Sequence, residues 1–309
     1  MASVAHAPIS SLVVPDVTVS VVAGGDGRLL DACLASLPAA ARTTTLETIV
    51  VDNASPEPLA VPDGVELIRN DVRRGFGANH NAVLARAEGR YALILNDDTV
   101  LDPEAIDRLK WFLDRNPAVG AAGPRLRNPD GSVQPSAFRF PTPGRVALTV
   151  LTLQRVAWDM SRGERIRRVD WIHGAAMMVR TAAFRDAGGL DERFYMYLED
   201  VDLCRGMRDA GWEVAFFPYA GLVHRESSST AAVPERRIVQ HARSRGLYAR
   251  KHHGAAAERF VQGLTAAMFT ARAGLAVVLP GYDADDVRRF RAHARASLDP
   301  KAGAGIEEP

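Results

Sequence analysis

The sequence is poor in the features that define several common protein classes. Only two cysteines, Cys33 and Cys204, occur in 309 residues, which excludes a disulfide framework and a cysteine-based zinc site. Basic and acidic residues number 38 and 37, for a net charge of +1, so no overall positive field attracts nucleic acid. We therefore expect a globular protein of a reducing compartment without a nucleic-acid partner.

Long apolar runs and a leader pattern are also missing. The longest apolar run near the C-terminus, Ala273 to Pro280, is too short to span a bilayer. Residues 1 to 15 lack the basic region and apolar core of a signal peptide and are predicted to be a flexible lead-in. These absences predict a cytoplasmic protein, with peripheral contact to the inner face of the plasma membrane as a further hypothesis.

The most informative stretch that is present runs from Tyr91 to Thr99. An unbroken apolar run, Tyr91 to Leu95, predicts a strand buried on both faces, and Asn96, Asp97 and Asp98 follow it directly. Open α/β sheets bind ligands at the carboxyl ends of their strands. Two adjacent carboxylates there favour a hard divalent cation such as Mg²⁺ or Mn²⁺ held together with substrate phosphates. The alternative is a helix-capping loop with solvated acids, since Asp102 and Pro103 resemble a helix start.

Strand and helix patterns alternate along the first two thirds of the chain. This order predicts an α/β fold with a mostly parallel central sheet flanked by helices. The expected organisation is a catalytic domain over residues 16–225 and a helical C-terminal extension over 226–309. The arginine-rich segment 145–168 is predicted to be a loop or short helices over the site. Strands are predicted at 17–22, 46–51, 65–70, 91–95, 119–124, 169–180 and 212–217, and helices at 29–37, 78–87, 103–115 and 181–187.

Polar residues at two further places suggest ligand contacts. Asp52 and Asn53 follow the second strand and can bond a base or ribose, although a polar turn explains them equally well. Arg73 or Arg74 beside a helix N-terminus is a candidate anion contact. Glu199 and Asp200 begin a predicted helix that also carries Asp202, and simple capping explains one acid better than three.

Five segments in this order resemble inverting, nucleotide-sugar-dependent glycosyltransferases of family two, which have the GT-A fold. The resemblance covers about residues 17 to 225 and is nearest to the bacterial rhamnosyltransferase-like subgroup that builds cell-surface polysaccharide. The segments are IVVDNAS (49–55), RGFGANHNA (74–82), LILNDDT (93–99), WIHGAAMMVR (171–180) and FYMYLEDVDLCRGMRDAGW (194–212). The sequence departs from the family pattern at Ala23-Gly24-Gly25, at Asn96 and at His173.

The resemblance implies substrates and a role for each matching residue. The donor would be a nucleotide-diphospho-sugar such as dTDP-rhamnose or a UDP-sugar, and the acceptor a cell-surface glycan or a polyprenyl-linked one. Direct displacement at an anomeric carbon needs a base on one side and a stabilised diphosphate on the other. The implied roles are nucleotide binding for Ala23, Asp52, Asn53, Arg74, Asn79 and Asp97; metal binding for Asp98 and His224; base catalysis for Asp200 with Glu199; and acceptor binding for Trp171 and His173.

Two other functions are compatible with these motifs. A nucleotidyltransferase on a similar sheet would also bind a nucleotide with a metal, but the late pair Glu199-Asp200 and the weak first glycine turn argue against it. A homologue that binds nucleotide or glycan without catalysis is supported only by the altered Ala23-Gly24-Gly25 turn.

The C-terminal extension combines basic and apolar residues. Seven basic residues between Arg236 and Arg259 are followed by apolar residues at helical spacing from Phe260 to Phe269. Such a stretch suits an anionic membrane surface, and residues 236–280 are predicted to bind it in a salt-sensitive way. Packing against the catalytic domain, or against a second subunit in a homo-oligomer, is an equally weighted alternative.

Overall fold

The structure is a computed structural model that describes residues 14–25, 27–152, 158–225 and 234–299. The predicted lead-in therefore lies almost wholly outside the described residues. So do position 26 of the first glycine turn and residues 153–157 of the arginine-rich segment.

The first half of the sheet is parallel, as the sequence predicts. Strands β1 (Val17–Ala23), β2 (Leu46–Asp52), β3 (Val65–Arg69) and β4 (Tyr91–Asn96) pair in the order β3-β2-β1-β4. Helices α1 (Arg28–Ala40) and α2 (Phe76–Leu84) connect strands within this half. Ala23 pairs with Asp52 and Val22 with Asn96, so three strands end at the same level. The polar residues that follow β2 and β4 therefore meet at one edge.

The second half of the sheet is mixed. Strands β5 (Thr99–Leu101), β6 (Val119–Arg127), β11 (Ala176–Arg180) and β12 (Glu213–His224) continue the order as β4-β11-β6-β12-β5, with α3 (Ala105–Arg115) packed on β12. Strand β11 is antiparallel to β4 and β6, whereas β12 is parallel to β6. Short strands β7 (Val133–Gln134) and β9 (Arg167–Val169) pair with β6 and β12, and β8 (Ala137–Phe138) pairs with β10 (Trp171–Ile172).

A separate hydrophobic core covers each face of the sheet. Alternate residues of β1 and β4, such as Val19 and Leu93, pack with α1 and α3. The other face, represented by Ile94, packs with α2, α5 (Thr181–Asp186) and α6 (Glu199–Asp209). Tyr248, from the C-terminal extension, is buried in this second core. The extension is therefore anchored on the layer of helices that covers this face of the sheet.

The extension is helical, as predicted. Helix α7 (Pro234–Val278) is interrupted at Gly254 (φ 86°, ψ 171°) and packs against α8 (Ala284–Leu298) and α4 (Pro143–Leu151). The run Ala273–Pro280, on which the sequence-based expectation rests, is too short to cross a membrane by itself. By length and composition alone, the helix over Glu235–Val278 could cross a membrane. Core helices of soluble proteins have the same property, and 33% of the apolar stretch is buried.

Several predicted boundaries were wrong. Asp102 and Pro103 do not start a helix, because Thr99–Leu101 forms an edge strand and α3 begins only at Ala105. The Asp102 carboxylate instead accepts a 2.5 Å hydrogen bond from Arg127. Helix α1 does not stop before Pro38 but continues to Ala40, which is fully buried.

The predicted strand over 169–180 is divided into β9, β10 and β11. Asp170 interrupts it, because its buried carboxylate accepts hydrogen bonds from Arg139, Arg145 and Arg208. The arginine-rich segment forms α4 in this region. Arg145 in this helix forms an ion pair with Asp170. The predicted strand over 212–217 continues to His224, which brings that residue back to the edge near Asp98.

Candidate active site

One cavity of about 660 Å³ opens at the carboxyl ends of β1, β2 and β4. Its walls come from both halves of the sheet, from the turn before α6 and from α7. The structure brings most of the predicted site residues to this cavity: Asn53, Arg74, Asn79, Asp97, Asp98, Trp171, His173, Glu199, Asp200 and His224 line it.

Three asparagines fix the loop that carries Arg73 and Arg74. The Asn53 side chain accepts a hydrogen bond from the Arg74 N–H (2.8 Å) and donates to the Arg74 carbonyl (2.9 Å). Asn70 donates to both Asn53 and Asn79, at 3.1 and 2.7 Å. Because these amides hold backbone groups, Asn53 and Asn79 position the loop while lining the cavity.

Ala23 and Asp52 are not among the residues that line the cavity. Asp52 is fully buried and accepts hydrogen bonds from the N–H groups of Ser55 and Leu59 and from Arg69. Burial raises the pKa of this carboxyl, but these donors and the Arg69 charge more than offset it and hold the pKa below its usual value. In this structure Asp52 stabilises the β2–β3 edge, and its contact with a nucleotide stays a prediction.

Asp98 and His224 form a buried pair at the base of the cavity. Their side chains approach to 3.2 Å between Asp98 Oδ1 and His224 Nε2, and the two residues are 6% and 4% exposed. The other ring nitrogen, Nδ1, lies 2.8 Å from Gln134 Oε1. With that amide oxygen as acceptor, the ring proton is on Nδ1 and Nε2 presents a lone pair beside the carboxylate, an arrangement typical of metal-binding histidines.

This pair fits a cation only if substrate oxygens complete its coordination. Within the described ranges, no three His, Cys, Asp or Glu side chains are grouped to hold a metal ion by themselves. One carboxylate and one imidazole, with substrate phosphates, form a common arrangement for Mg²⁺ and Mn²⁺.

The two adjacent acids, Glu199 and Asp200, begin α6 after an unusual backbone turn. Tyr197 and Leu198 both have positive φ, 70° and 66°, although neither is a glycine. This backbone is costly and is found where surrounding structure enforces it, often at functional sites. Asp200 is held by hydrogen bonds from the Gly174 N–H to Oδ2 (2.9 Å) and from the Val201 N–H to Oδ1 (2.8 Å).

The environment separates the roles of these two acids. Burial, with the charge of Asp200 adding to it, raises the pKa of Glu199 well above its ordinary value. Glu199 Oε2 is buried without a hydrogen-bond partner in the described part of the chain. Burial also raises the pKa of Asp200, but His173 and the N–H donors from Gly174 and Val201 oppose the shift. Asp200 is therefore the acid of the pair that ionises first.

His173 lies between the two acidic sites. Its ring centroid is 5.8 Å from that of His224, and the positive charge of its protonated form would favour the ionised form of Asp200. Nδ1 accepts the Ala175 N–H at 3.0 Å, so the neutral ring carries its proton on Nε2. Trp171 stacks on Phe138 at 4.4 Å and its indole N–H donates to the Arg139 carbonyl, which fixes this ring in the cavity wall.

Sequence reasoning missed the contribution of α7 to the cavity. Arg237, His241 and Arg245 line the wall near Tyr197. Their spacing of four residues, which places side chains on one helical face, was a readable signal. The composition of residues 236–280 predicts either membrane binding or packing against the rest of the chain or a second subunit, and neither prediction places these side chains in the cavity.

A second cavity, of about 710 Å³, lies beside α3 and contains none of the predicted site residues. Polar side chains in its walls bond to one another. Asp107 accepts hydrogen bonds from Thr43 and Thr44, and Glu104 forms an ion pair with Arg42. Its donors and acceptors are therefore already used within the protein.

Comparison with known proteins agrees with the fold and shows the family. A family model described as "Glycosyltransferase like family 2" matches residues 15–246. The N-acetylglucosaminyl-diphospho-decaprenol L-rhamnosyltransferase of Mycobacterium tuberculosis is 32% identical over 251 residues, which are 74% of this chain and 81% of that protein. The rhamnosyltransferase WbbL of Escherichia coli is 32% identical over 159 residues, 48% of this chain and 60% of that protein.

A solved structure shows the same architecture. The mannosyltransferase PcManGT of Pyrobaculum calidifontis, in complex with GDP-Man and Mn²⁺, superposes with a TM-score of 0.57 and 16% identity, covering 93% of this chain and 86% of that one. Fold and site thus define a GT-A enzyme that transfers a glycosyl group. The chain belongs to glycosyltransferase family two and has rhamnosyltransferases among its relatives.

Proposed function

We propose that this enzyme transfers a sugar, with inversion, from a nucleotide-diphospho-sugar to a cell-surface glycan or lipid-linked acceptor. The observation that carries the proposal is that one cavity holds both the Asp98–His224 pair and the hydrogen-bonded Asp200 carboxylate. The first provides a place for the leaving diphosphate and the second a base for the acceptor.

The donor occupies the side of the cavity formed by β1, β2 and the loop of Arg73 and Arg74. Gly24 and Gly25 line this side without bulky side chains, and Arg73 donates to the Gly24 carbonyl at 3.0 Å. Together with Asn53, Asn79 and Asp97, this wall suits a nucleoside diphosphate. The relatives named as rhamnosyltransferases favour rhamnose as the transferred sugar. We propose dTDP-rhamnose as the donor, with a UDP-sugar as the alternative.

A divalent metal, Mg²⁺ or Mn²⁺, would be held by Asp98 and His224 together with diphosphate oxygens. Such a cation supplies positive charge that stabilises the leaving diphosphate. Gln134 orients the His224 ring for this role.

Asp200 accepts the proton of the acceptor hydroxyl. The hydroxyl oxygen then forms a bond to the anomeric carbon from the side opposite the diphosphate, whose bond to that carbon breaks with its electron pair. Burial raises the pKa of Glu199 well above its ordinary value, which opposes a second negative charge in the site. His173 and Trp171 stand beside Asp200 in the cavity wall and would contact the acceptor.

The acceptor and the location follow by analogy with a relative. The mycobacterial relative is named for an acceptor in which a sugar is joined through a diphosphate to decaprenol. We propose an acceptor of the same kind, a glycan on a polyprenyl diphosphate, used at the cytoplasmic face of the membrane.

Substitution of Asp200 tests the base. Asp200→Asn keeps the shape of the side chain, so nucleoside diphosphate binding should be unchanged while the turnover number falls about 10²–10⁴-fold. Asp209→Asn, at the other end of α6 and paired with Arg205, is the control. Near-normal turnover in Asp200→Asn would contradict the assignment.

Substitution of Asp98 tests the metal site. Asp98→Ala should remove the dependence of nucleoside diphosphate affinity on Mn²⁺, measured by calorimetry with and without the metal. A variant whose affinity still rises with Mn²⁺ as in the unchanged protein would place the cation elsewhere.

A further inference from the structure

The cavity wall contributed by α7 contains a cation, Arg245, that has no counter-charge among the described residues. Arg245 is partly exposed to the cavity, and no described residue accepts a hydrogen bond from it or forms an ion pair with it. By contrast, Arg250 and Lys251 on the same helix pair with Glu258 and with Asp191 and Asp202. An arginine keeps its charge when buried, so this one favours an anionic ligand.

Two neighbours on the same face of α7 strengthen the positive character of this wall. Arg237 and His241 also line the cavity, eight and four residues before Arg245. Burial, together with the charges of Arg245 and Arg237, lowers the pKa of His241 to about 3. The neutral ring stacks on Tyr197 with centroids 3.6 Å apart. The His241 ring therefore lies between the two arginines along the helix and adds no charge of its own.

This wall stands on the acceptor side of the cavity. Helix α7 is fastened to the turn before Asp200, because Ser244 and Gln240 donate to the Met196 carbonyl at 2.8 and 3.3 Å. The donor side, by contrast, is built from β1, β2 and the loop at 73–75. The arginines of α7 therefore line the cavity beside the turn that precedes the base.

The surface beside this wall is apolar. Helix α4 packs against α7, contributes Val146 to the cavity and has no fully buried residue. Leu148 and Leu151 are 42% and 77% exposed. A ligand with an anionic group and an apolar chain would match both features: the anion at Arg245 and the chain along α4.

We propose that Arg245, assisted by Arg237, binds the diphosphate of a lipid-linked acceptor, at a subsite separate from that of the donor diphosphate. The inference rests on the proposed function and specifies how the acceptor is recognised. Guanidinium groups bind phosphate oxygens through paired, charge-assisted hydrogen bonds. The subsite would hold the acceptor sugar, on the other side of its diphosphate, against Asp200.

Two acceptors distinguish this subsite from general sugar binding. One is N-acetylglucosamine linked through a diphosphate to a short isoprenoid, and the other is the octyl glycoside of the same sugar without phosphate. Arg245→Gln should raise KM for the first about tenfold or more and leave KM for the second and for the donor unchanged. Arg250→Gln, on the exposed side of α7, is the matched control.

Binding of inorganic pyrophosphate to the metal-free full chain provides a readout that does not need transfer activity. Calorimetry should show binding that Arg245→Gln abolishes and Asp98→Ala preserves, so a failure of the proposed function would not obscure the result. The proposal is overturned if Arg245→Gln weakens nucleoside diphosphate binding, affects both acceptors equally, or leaves pyrophosphate binding intact. Thermal melting of each variant verifies that it is folded.

Discussion

Glu199 and Asp200 are consecutive carboxylic acids whose surroundings give them opposite properties. Asp200 receives two backbone N–H bonds and lies near His173, whereas Glu199 has a buried oxygen without a partner in the described structure. A base must ionise at working pH, and a neutral neighbour avoids repulsion. The positive-φ turn at Tyr197 and Leu198 orients both side chains into the cavity, and backbone strain there is consistent with a site fixed for catalysis.

The charge of His173 should set the acid limb of the pH profile. Burial raises the pKa of Asp200 above its ordinary value, and His173 opposes that rise. A base acts only when deprotonated, so kcat/KM falls as the pH drops through this pKa. His173→Gln removes the positive charge that the protonated ring provides, and we expect the acid limb to move to higher pH. His253→Gln, in α7 outside the cavity, is the control and should leave the acid limb unchanged. An unchanged acid limb in His173→Gln would show that His173 does not influence the ionisation of Asp200.

At the scale of elements, the donor loop and the turn before the base are in direct contact. The Phe76 N–H at the start of α2 donates to the Tyr195 carbonyl at 2.9 Å. A Cβ atom on Gly75 would lie 2.7 Å from that carbonyl oxygen, closer than atoms can approach. Gly75 has a φ of −63°, which any residue can adopt. Glycine is therefore required here by the close approach of the Tyr195 backbone and not by the backbone conformation.

Gly75→Ala should therefore weaken both stability and donor binding. Forcing the two segments apart costs about 1–3 kcal/mol, measurable by denaturant unfolding, and should displace Arg73 and Arg74 from the donor wall. Gly144→Ala in α4 has open space around the new methyl group and should be neutral or slightly stabilising. If Gly75→Ala unfolds at the same denaturant concentration as the unchanged protein, the contact is not restrictive.

The sequence predicts the sheet, its polar strand ends and the order of site motifs, because these depend on local patterns. The alternation of strands and helices predicted the parallel half, and the Tyr91–Leu95 run predicted a central buried strand. What it could not predict depends on contacts between distant segments. The Asp52–Arg69 pairing, the arginines around Asp170 and the insertion of antiparallel β11 all join residues that local patterns do not relate.

At the scale of the molecule, the C-terminal extension has two distinct parts. Up to Tyr248, α7 packs on the catalytic domain and lines the cavity. After the break at Gly254 it forms an arm with α8, held by small clusters such as Phe269 with Phe290. The predicted basic membrane surface is thus divided, because Arg237 and Arg245 face the cavity. The exposed apolar residues lie instead at the end of the arm.

The end of this arm is the part of the described chain that we expect to contact a membrane. Leu275, Val277, Val278 and Tyr282 are 50%, 63%, 74% and 45% exposed around the α7–α8 connection. Burial of a side chain such as valine contributes about 1.5–3 kcal/mol. Vesicle flotation should therefore show association that survives high salt, and Val277→Ser with Val278→Ser should weaken partitioning by at least about tenfold. Trp111→Ser, which removes a 51% exposed side chain from α3, is the control. If the double substitution leaves flotation unchanged, the arm does not bind the membrane. If it abolishes a concentration-dependent dimerisation, these residues contact a second copy of the chain.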